Sequence, residues 1–559
     1  MPTIKLFLEE FIMSLSTTQK TLLTVAGVAL VGGIAFTVNA QSKPTKTAPN
    51  QTLNLSEGTA IMSLDPAKIT DSVSQEQLSQ IDEGLYRLDA KSHPVNALAT
   101  KTTISKDGKT YVINLRHNAK WSNGQSVTAH DFVYSWERTL NPKSKSEFTY
   151  LFSNIKNADA IAAGKKAPTS LGVKASGDHQ LTITLSKPAS YFKKVLANIT
   201  FYPLNQRAVQ KYGRAYGTTA KKAVYNGAFV LNGWTGTNDT WTLTKNPDYY
   251  ARKVVNLKKI NYQVLKSTTT AYNLYQSNKL DTVTLSGEQN VQNKNNSERK
   301  TLPTGTLEFI QFNEKDKTSA NHDLRTAVSL AINRQQLVDK VLQNGARPAK
   351  TFAVKNMAKN PKTGKDFTQD AYVKQTVDTD VTQARSLYKK AQHQLGTKKI
   401  TLTLTCGDND TTHQVAEFIQ GQLTRNLPGI KVNVKPMPFN AMLGKVSKGE
   451  FQLNLAGWNM DFADPSRALT ILTANSNSNM GHYHSHQFDQ LMAKADGADA
   501  LNPTKRYQDL VQAAQLATRD QAGVSLYEGS TNMLVKSNLK GVVYNNFSGV
   551  PSYRTAYLK

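Results

Sequence analysis

Apolar and polar positions along this chain follow two alternating rhythms from about residue 51 onward. Residues 51–57 (QTLNLSE), 110–116 (TYVINLR), 180–186 (QLTITLS), 241–245 and 259–264 alternate with period two, which predicts strands with one buried face. Residues 71–88 carry Leu78, Ile81 and Leu85 at helical spacing. In 323–343, Leu324, Val328, Ile332, Leu337 and Val341 recur near a period of 3.6, and Asn344-Gly345 ends the predicted helix. Residues 399–405, 413–426 and 431–435 read as strand, helix, strand, a βαβ unit suited to an open sheet. Residues 451–455 (FQLNL) alternate as a strand with Gly457-Trp458 at its end. The chain shows no internal repeat, and the very polar stretch 289–299 predicts a domain crossing. Together these elements describe a mixed α/β protein.

One run is more specific. Residues 115–138 read LRHNAKWSNGQSVTAHDFVYSWER. They predict a strand end, a turn at Ser122-Asn123-Gly124, an N-cap at Thr128 with Asp131 in the first turn, and an apolar face of Phe132, Val133 and Trp136. A second run, 456–466, reads AGWNMDFADPS. The two runs resemble the signatures of the extracytoplasmic solute-binding proteins, family 5, of the oligopeptide- and dipeptide-binding type that serve ABC importers. The resemblance extends from about residue 53 to the C-terminus.

It implies a two-lobed α/β, periplasmic-binding-protein-like fold of type II, with an extra domain and a hinge between the lobes. Mapped onto this numbering, lobe I takes 51–82, 187–287 and 535–559, the extra domain takes 83–186, and lobe II takes 288–534.

Composition narrows the partners. The 559 residues hold 68 Lys and Arg against 41 Asp and Glu, a formal net charge of +27. No Arg-rich run, zinc spacing or RNA-binding aromatic motif accompanies that excess, so a basic surface is expected rather than a nucleic-acid site. Cys406 is the single cysteine, which excludes an intramolecular disulfide, and its place in a strand-like run makes it a buried apolar filler.

Residues 21–38 hold no charge and follow Lys20, and Val38-Asn39-Ala40 offers a cleavage site, so 1–40 reads as an export segment, either cleaved there or retained as a single anchor, and 41–50 as a linker. Met13 is an alternative start. By the resemblance, Gln41 stands where Gram-positive members carry the lipid-bearing cysteine. The expected location is therefore the outer face of the membrane, the cell wall or the medium, without a lipid anchor. The net charge of 1–40 is zero, so the exported part keeps all of +27, and contact with an anionic cell wall is expected.

The resemblance also points to ligand-binding residues. In the family the segment matching Gly457, Trp458 and Asn459 pairs its backbone with the ligand, and the acid matching Asp461 holds a peptide's α-ammonium. A peptide of variable sequence is constant only in its backbone and termini, so backbone pairing plus one acid suits it. The other reading of Asp461 is a turn or capping acid before Pro465, while Asp464 is expected to cap the next helix. Trp458 is either a ligand wall or core. Phe439 and Phe148 match family pocket positions and read equally as core, and His413 matches a carboxylate-binding position or is an exposed helix residue.

Thr70, Gly529, Leu455 and Val446 depart from the enterobacterial pattern, the last two replacing arginines that hold peptide C-termini. His482, His484 and His486 would share a face on a strand and could ligate zinc or nickel, although the resemblance gives that loop no metal role.

No hydrolase motif or phosphate loop occurs. The expectation is a monomeric, non-enzymatic oligopeptide-binding component of an ABC importer, with permease partners and no cofactor, metal or nucleic acid. The alternatives are the same fold with a metal chelate, haem or sugar, and a surface adhesin or peptide-pheromone sensor.

Overall fold

The structure is a computed structural model and describes residues 48–547 and 549–559. The predicted export segment 1–40 and most of the linker 41–50 lie outside the described residues. Among the described residues, no helix is long and apolar enough to cross a membrane.

Three sheets carry the architecture. The first places Thr52–Glu57 parallel to Lys259–Val264, with Thr240–Lys245 and Phe229–Asn232 antiparallel beyond. Leu53, Leu55, Ile260, Tyr262, Trp241, Leu243, Phe229 and Leu231 are its buried positions, as the period-two pattern requires. Helix Ser72–Ile81 is tied to this sheet by Trp241 Nε1–H donating to Gln77 Oε1 at 3.0 Å and by the Tyr262 hydroxyl donating to Glu76 at 3.0 Å.

The second sheet runs Ala99–Ile104, Thr110–Leu115, Gln180–Thr184, Val173–Ala175, all antiparallel. Helix Ala129–Leu140 packs on it through Phe132 and Trp136, both fully buried, each worth roughly 1.5–3 kcal/mol of transfer free energy. The family-like run at 115–138 is architectural here. Asp131 accepts from the Thr128 backbone N–H at 2.8 Å and from Trp121 Nε1 at 3.2 Å. Arg138 makes a bidentate pair with buried Asp65, at 2.9 and 2.6 Å, which fastens this helix to the loop before Ser72.

The third sheet is mixed, in the order Thr282–Thr284, Val524–Val535, Arg299–Phe312, Leu453–Asn459, Ile400–Gly407, Ile430–Met437, with Arg347–Pro348 also pairing with Val524–Val535. The predicted βαβ unit forms, with Asp410–Asn426 crossing between two parallel strands and Cys406 buried in the first. The strands Arg299–Phe312 and Val524–Val535 are 14 and 12 residues long. The ribbon they form reaches the first sheet through Thr282–Thr284, where Asn54 N–H donates to Asp281 Oδ2 at 2.7 Å.

Four local expectations change. The helix predicted over 71–88 stops at Ile81, and residues 86–88 become a strand instead. Gly84 lets the chain pass Tyr202 closely; a Cβ there would sit 2.5 Å from that ring. The helix predicted over 323–343 breaks after Ala331, because Asn333 caps a new turn by accepting from Gln336 N–H, and a wide π-helical turn follows over Leu337–Leu342. The five-residue step from Ile332 to Leu337 was the trace of that break. The strand predicted over 451–455 is shifted along the chain to Leu453–Asn459, and Gly457 and Trp458 fall near its end as expected. The histidine strand does not form: His482 sits at a left-handed φ of 57° and His486 opens helix His486–Ala495, so the three rings share no strand face.

Candidate functional site

Strand Leu453–Asn459 delivers the candidate site. Its last residues pair antiparallel with Arg299–Phe312, placing Thr306 opposite Asn459, Leu307 opposite Trp458 and Glu308 opposite Gly457. The chain then turns through Asp461 and enters helix Pro465–Leu469, capped by Asp464, whose side chain accepts from Ser466 N–H at 3.1 Å.

Asp461 meets three protein donors on a single oxygen. Its Oδ2 accepts from Arg467 Nε at 2.7 Å, lies 2.6 Å from Arg467 Nη2, and accepts from the Tyr150 hydroxyl at 3.0 Å. Among the described residues Oδ1 accepts from no protein donor. Arg467 itself is sandwiched, its guanidinium 4.5 Å from the Trp458 ring centroid and 5.0 Å from that of Tyr150. Trp458 is half-buried and donates weakly to Arg467 O at 3.4 Å.

Asp461 lines two adjoining cavities. One, about 450 Å³, is walled by Thr70, Phe148, Thr304, Thr306, Asn459 and Phe547 among others. The other, about 230 Å³, runs past Gln75, Arg87, Lys194 and Arg554. The walls come from segments far apart in the chain, among them 69–75, 198–200, 304–306, 459–461 and 547–550. Further contacts join the 187–194 and 461–496 segments: Lys187 Nζ lies 2.9 Å from Asp496, Lys194 donates to Ala463 O, and Tyr191 stacks on Phe462 at 5.3 Å with rings 4° from parallel.

The structure thus brings Asp461, Asn459 and Phe148 to one cavity, with Trp458 behind Arg467. Gly457 is exposed on the strand, and Glu308 lies across it; a Cβ at 457 would meet Glu308 Oε1 at 2.6 Å. His413 and Phe439 line neither cavity. Phe439 is 64% exposed at the start of helix Phe439–Ser447, and His413 lies 3.8 Å from Glu417 one turn along its own helix. Among the departures, Thr70 lines the larger cavity, while Leu455 and Val446 are buried core.

Three residues of this site escaped the sequence reading. Tyr150, two positions after Phe148, supplies the hydroxyl, and Arg467 supplies the cation on Asp461. An arginine one turn into a helix that follows an acid is a signal available in the sequence. Glu308 is the third. Burial pushes its carboxyl up to about 8, so it is protonated at neutral pH. Only the strand register places it beside Gly457, and nothing in the sequence foretells that.

The family model for bacterial extracellular solute-binding proteins, family 5 Middle, matches residues 93–480. The chain belongs to this family. It is 35% identical over 530 residues to the dipeptide-binding protein of Lactococcus lactis subsp. cremoris, covering 92% of this chain and 96% of that one. Among solved structures, OppA of Listeria monocytogenes bound to peptide is 37% identical with a TM-score of 0.76, covering 92% of this chain and all of the other. The pheromone receptor PrgZ is also 37% identical, with a TM-score of 0.77 and coverage of 91% and 100%. Family 5 membership fits the mixed α/β architecture described above.

Proposed function

We propose that this protein is the extracytoplasmic peptide-binding component of an ABC importer, and that Asp461 receives the peptide's α-ammonium. The observation that carries the assignment is the asymmetry of Asp461: Arg467 and Tyr150 fasten Oδ2, while Oδ1 has no protein donor among the described residues and Asp461 lines a cavity. A carboxylate held this way is pre-aimed, so a charged amine gains a short, charge-assisted hydrogen bond without reordering the side chain. The backbone of Gly457, Trp458 and Asn459 would pair with the peptide's main chain, and Phe148 would wall one side. The exposed Gly457 leaves room for such an approach.

The lobe division is part of the same proposal: lobe I from 51–82, 187–287 and 535–559, the extra domain from 83–186, and lobe II from 288–534. The ribbon of two long strands serves as the hinge, and the contacts of Tyr150, Lys187, Tyr191 and Lys194 with the 461–496 segment hold the closed form. The protein carries out no catalysis in this role. The names of the relatives, a dipeptide-binding protein and a peptide-bound OppA, support a peptide as the ligand. The likeness to the pheromone receptor PrgZ supports sensing as a second reading of the same site.

Native mass spectrometry of the purified protein tests the ligand class. The expected result is a distribution of bound masses matching short peptides. A single mass of a metal chelate, haem or sugar would overturn it. Growth on peptides as the sole amino-acid source, with and without the gene, separates import from sensing.

A further inference from the structure

The excess positive charge is not spread evenly. Residues 187–287 carry fifteen Lys and Arg against three acids. Within that segment, Lys245, Arg252, Lys253, Lys258 and Lys259 are all exposed, and the only acid between 245 and 259 is Asp248. None of these five cations makes an ion pair among the described residues. Backbone geometry draws them together: Lys245 N–H donates to Lys258 O at 3.1 Å, and Lys245 Nζ donates to Val255 O at 2.7 Å. Lys259 begins the strand paired with the one that Lys245 ends. At the tip, the short 3₁₀ turn Arg252–Val254 leaves Val254 40% exposed between cations.

The position of this patch matters as much as its charge. Lys258 N–H donates to Gln51 O at 2.8 Å, so the patch lies at the residue through which the N-terminal segment enters the fold. That segment supplies the uncharged run 21–38 and, in the linker, two more cations, Lys43 and Lys46.

We infer that the Lys245–Lys259 patch is a docking surface for the anionic headgroups of a phospholipid bilayer. Unpaired lysines and arginines beside the residue where the N-terminal segment joins the fold are attracted by phosphate-bearing headgroups within a Debye length, and a small apolar tip can enter the headgroup layer. Such docking would hold the first sheet toward the membrane and orient the cavity, a property separate from what the cavity binds. A wall polymer such as poly(glycerol phosphate) carries similar charge but would not select the face beside residue 51.

Co-sedimentation of the full chain with vesicles tests this. Vesicles of equimolar phosphatidylglycerol and phosphatidylcholine are compared with vesicles of phosphatidylcholine alone. The variant R252Q/K253Q/K258Q/K259Q is expected to bind the anionic vesicles at least about tenfold more weakly than the parent, with unchanged thermal unfolding. The variant K101Q/K106Q/K165Q/K174Q, which removes the same charge from exposed positions of the second sheet's region, is expected to stay within about twofold. Equal losses in both variants would overturn the proposal in favour of diffuse charge. Equal binding of the parent to both kinds of vesicle would overturn it in favour of the apolar run. Loss of binding to soluble poly(glycerol phosphate), with vesicle binding intact, would assign the patch to the wall instead.

Discussion

Asp461 and Asp464 stand on one loop, each against an arginine, and yet do opposite things. Asp464 is buried, and both its oxygens are filled: Arg506 donates to Oδ1 and Oδ2 at 2.8 and 2.9 Å, and Ser466 adds its hydroxyl and N–H. Burial alone would raise this carboxyl, but the Arg506 guanidinium, with Lys194 and Ser466, outweighs it and holds the acid below the usual carboxylate range. Asp461 uses one oxygen for its arginine, has no protein donor on the other among the described residues, and lines a cavity. The difference teaches that two acid-arginine pairs on one loop can be closed to different degrees, and under the proposed function the half-open one is the one left for a ligand.

Breaking each pair should separate the roles. The largest effect is expected from Asp464→Ala, which leaves Arg506 buried without its partner and should cost about 3–5 kcal/mol of unfolding free energy, read by urea denaturation. A loss below about 1 kcal/mol would erase the contrast. Asp461→Asn should leave the unfolding midpoint nearly unchanged while weakening binding of free-amine peptides at least tenfold, about 1.4 kcal/mol, by calorimetry. Tyr150→Phe removes one donor from Oδ2 and should weaken the same binding by a smaller amount, about 0.5–1.5 kcal/mol.

The pH dependence sharpens the comparison from the other side. Asp464 is stabilised in its charged form, so its contribution is present above the ordinary aspartate range and is lost as pH falls through its depressed value. Burial pushes Asp82 and Glu308 up to about 8, so their contribution is complete below the ordinary carboxylate range and declines as pH rises toward 8. Asp82→Asn should therefore flatten the decline in stability between mildly acidic and alkaline pH, measured as the urea midpoint across that window. The smallest effect is expected at Phe439: with its ring exposed, Phe439→Ser should change peptide affinity and stability by less than about 0.5 kcal/mol.

Local physics made much of the fold legible in the sequence. Strands such as Lys259–Val264, with one buried face, announce themselves by alternation, and the βαβ unit around Asp410–Asn426 by a change of period. Breaks were harder to see. Asn333 and Gly84 each act through a cap or a close approach that depends on a distant neighbour. At the candidate site, the motif pointed to Asp461, which lines both cavities, whereas nothing pointed to Tyr150, since it lies more than three hundred residues away in the chain and meets Asp461 only through tertiary packing. His413 and Phe439 show the reverse case, where a matched position places the residue outside both cavities.

The most direct test of the central claim is calorimetric binding of one tripeptide in two forms, with a free and with an acetylated amino terminus, to the parent protein and to Asp461→Asn. The parent is expected to prefer the free amine by at least about tenfold, and the variant to bind both forms alike. Equal affinity of the parent for both forms, or a preference that survives in Asp461→Asn, would contradict it.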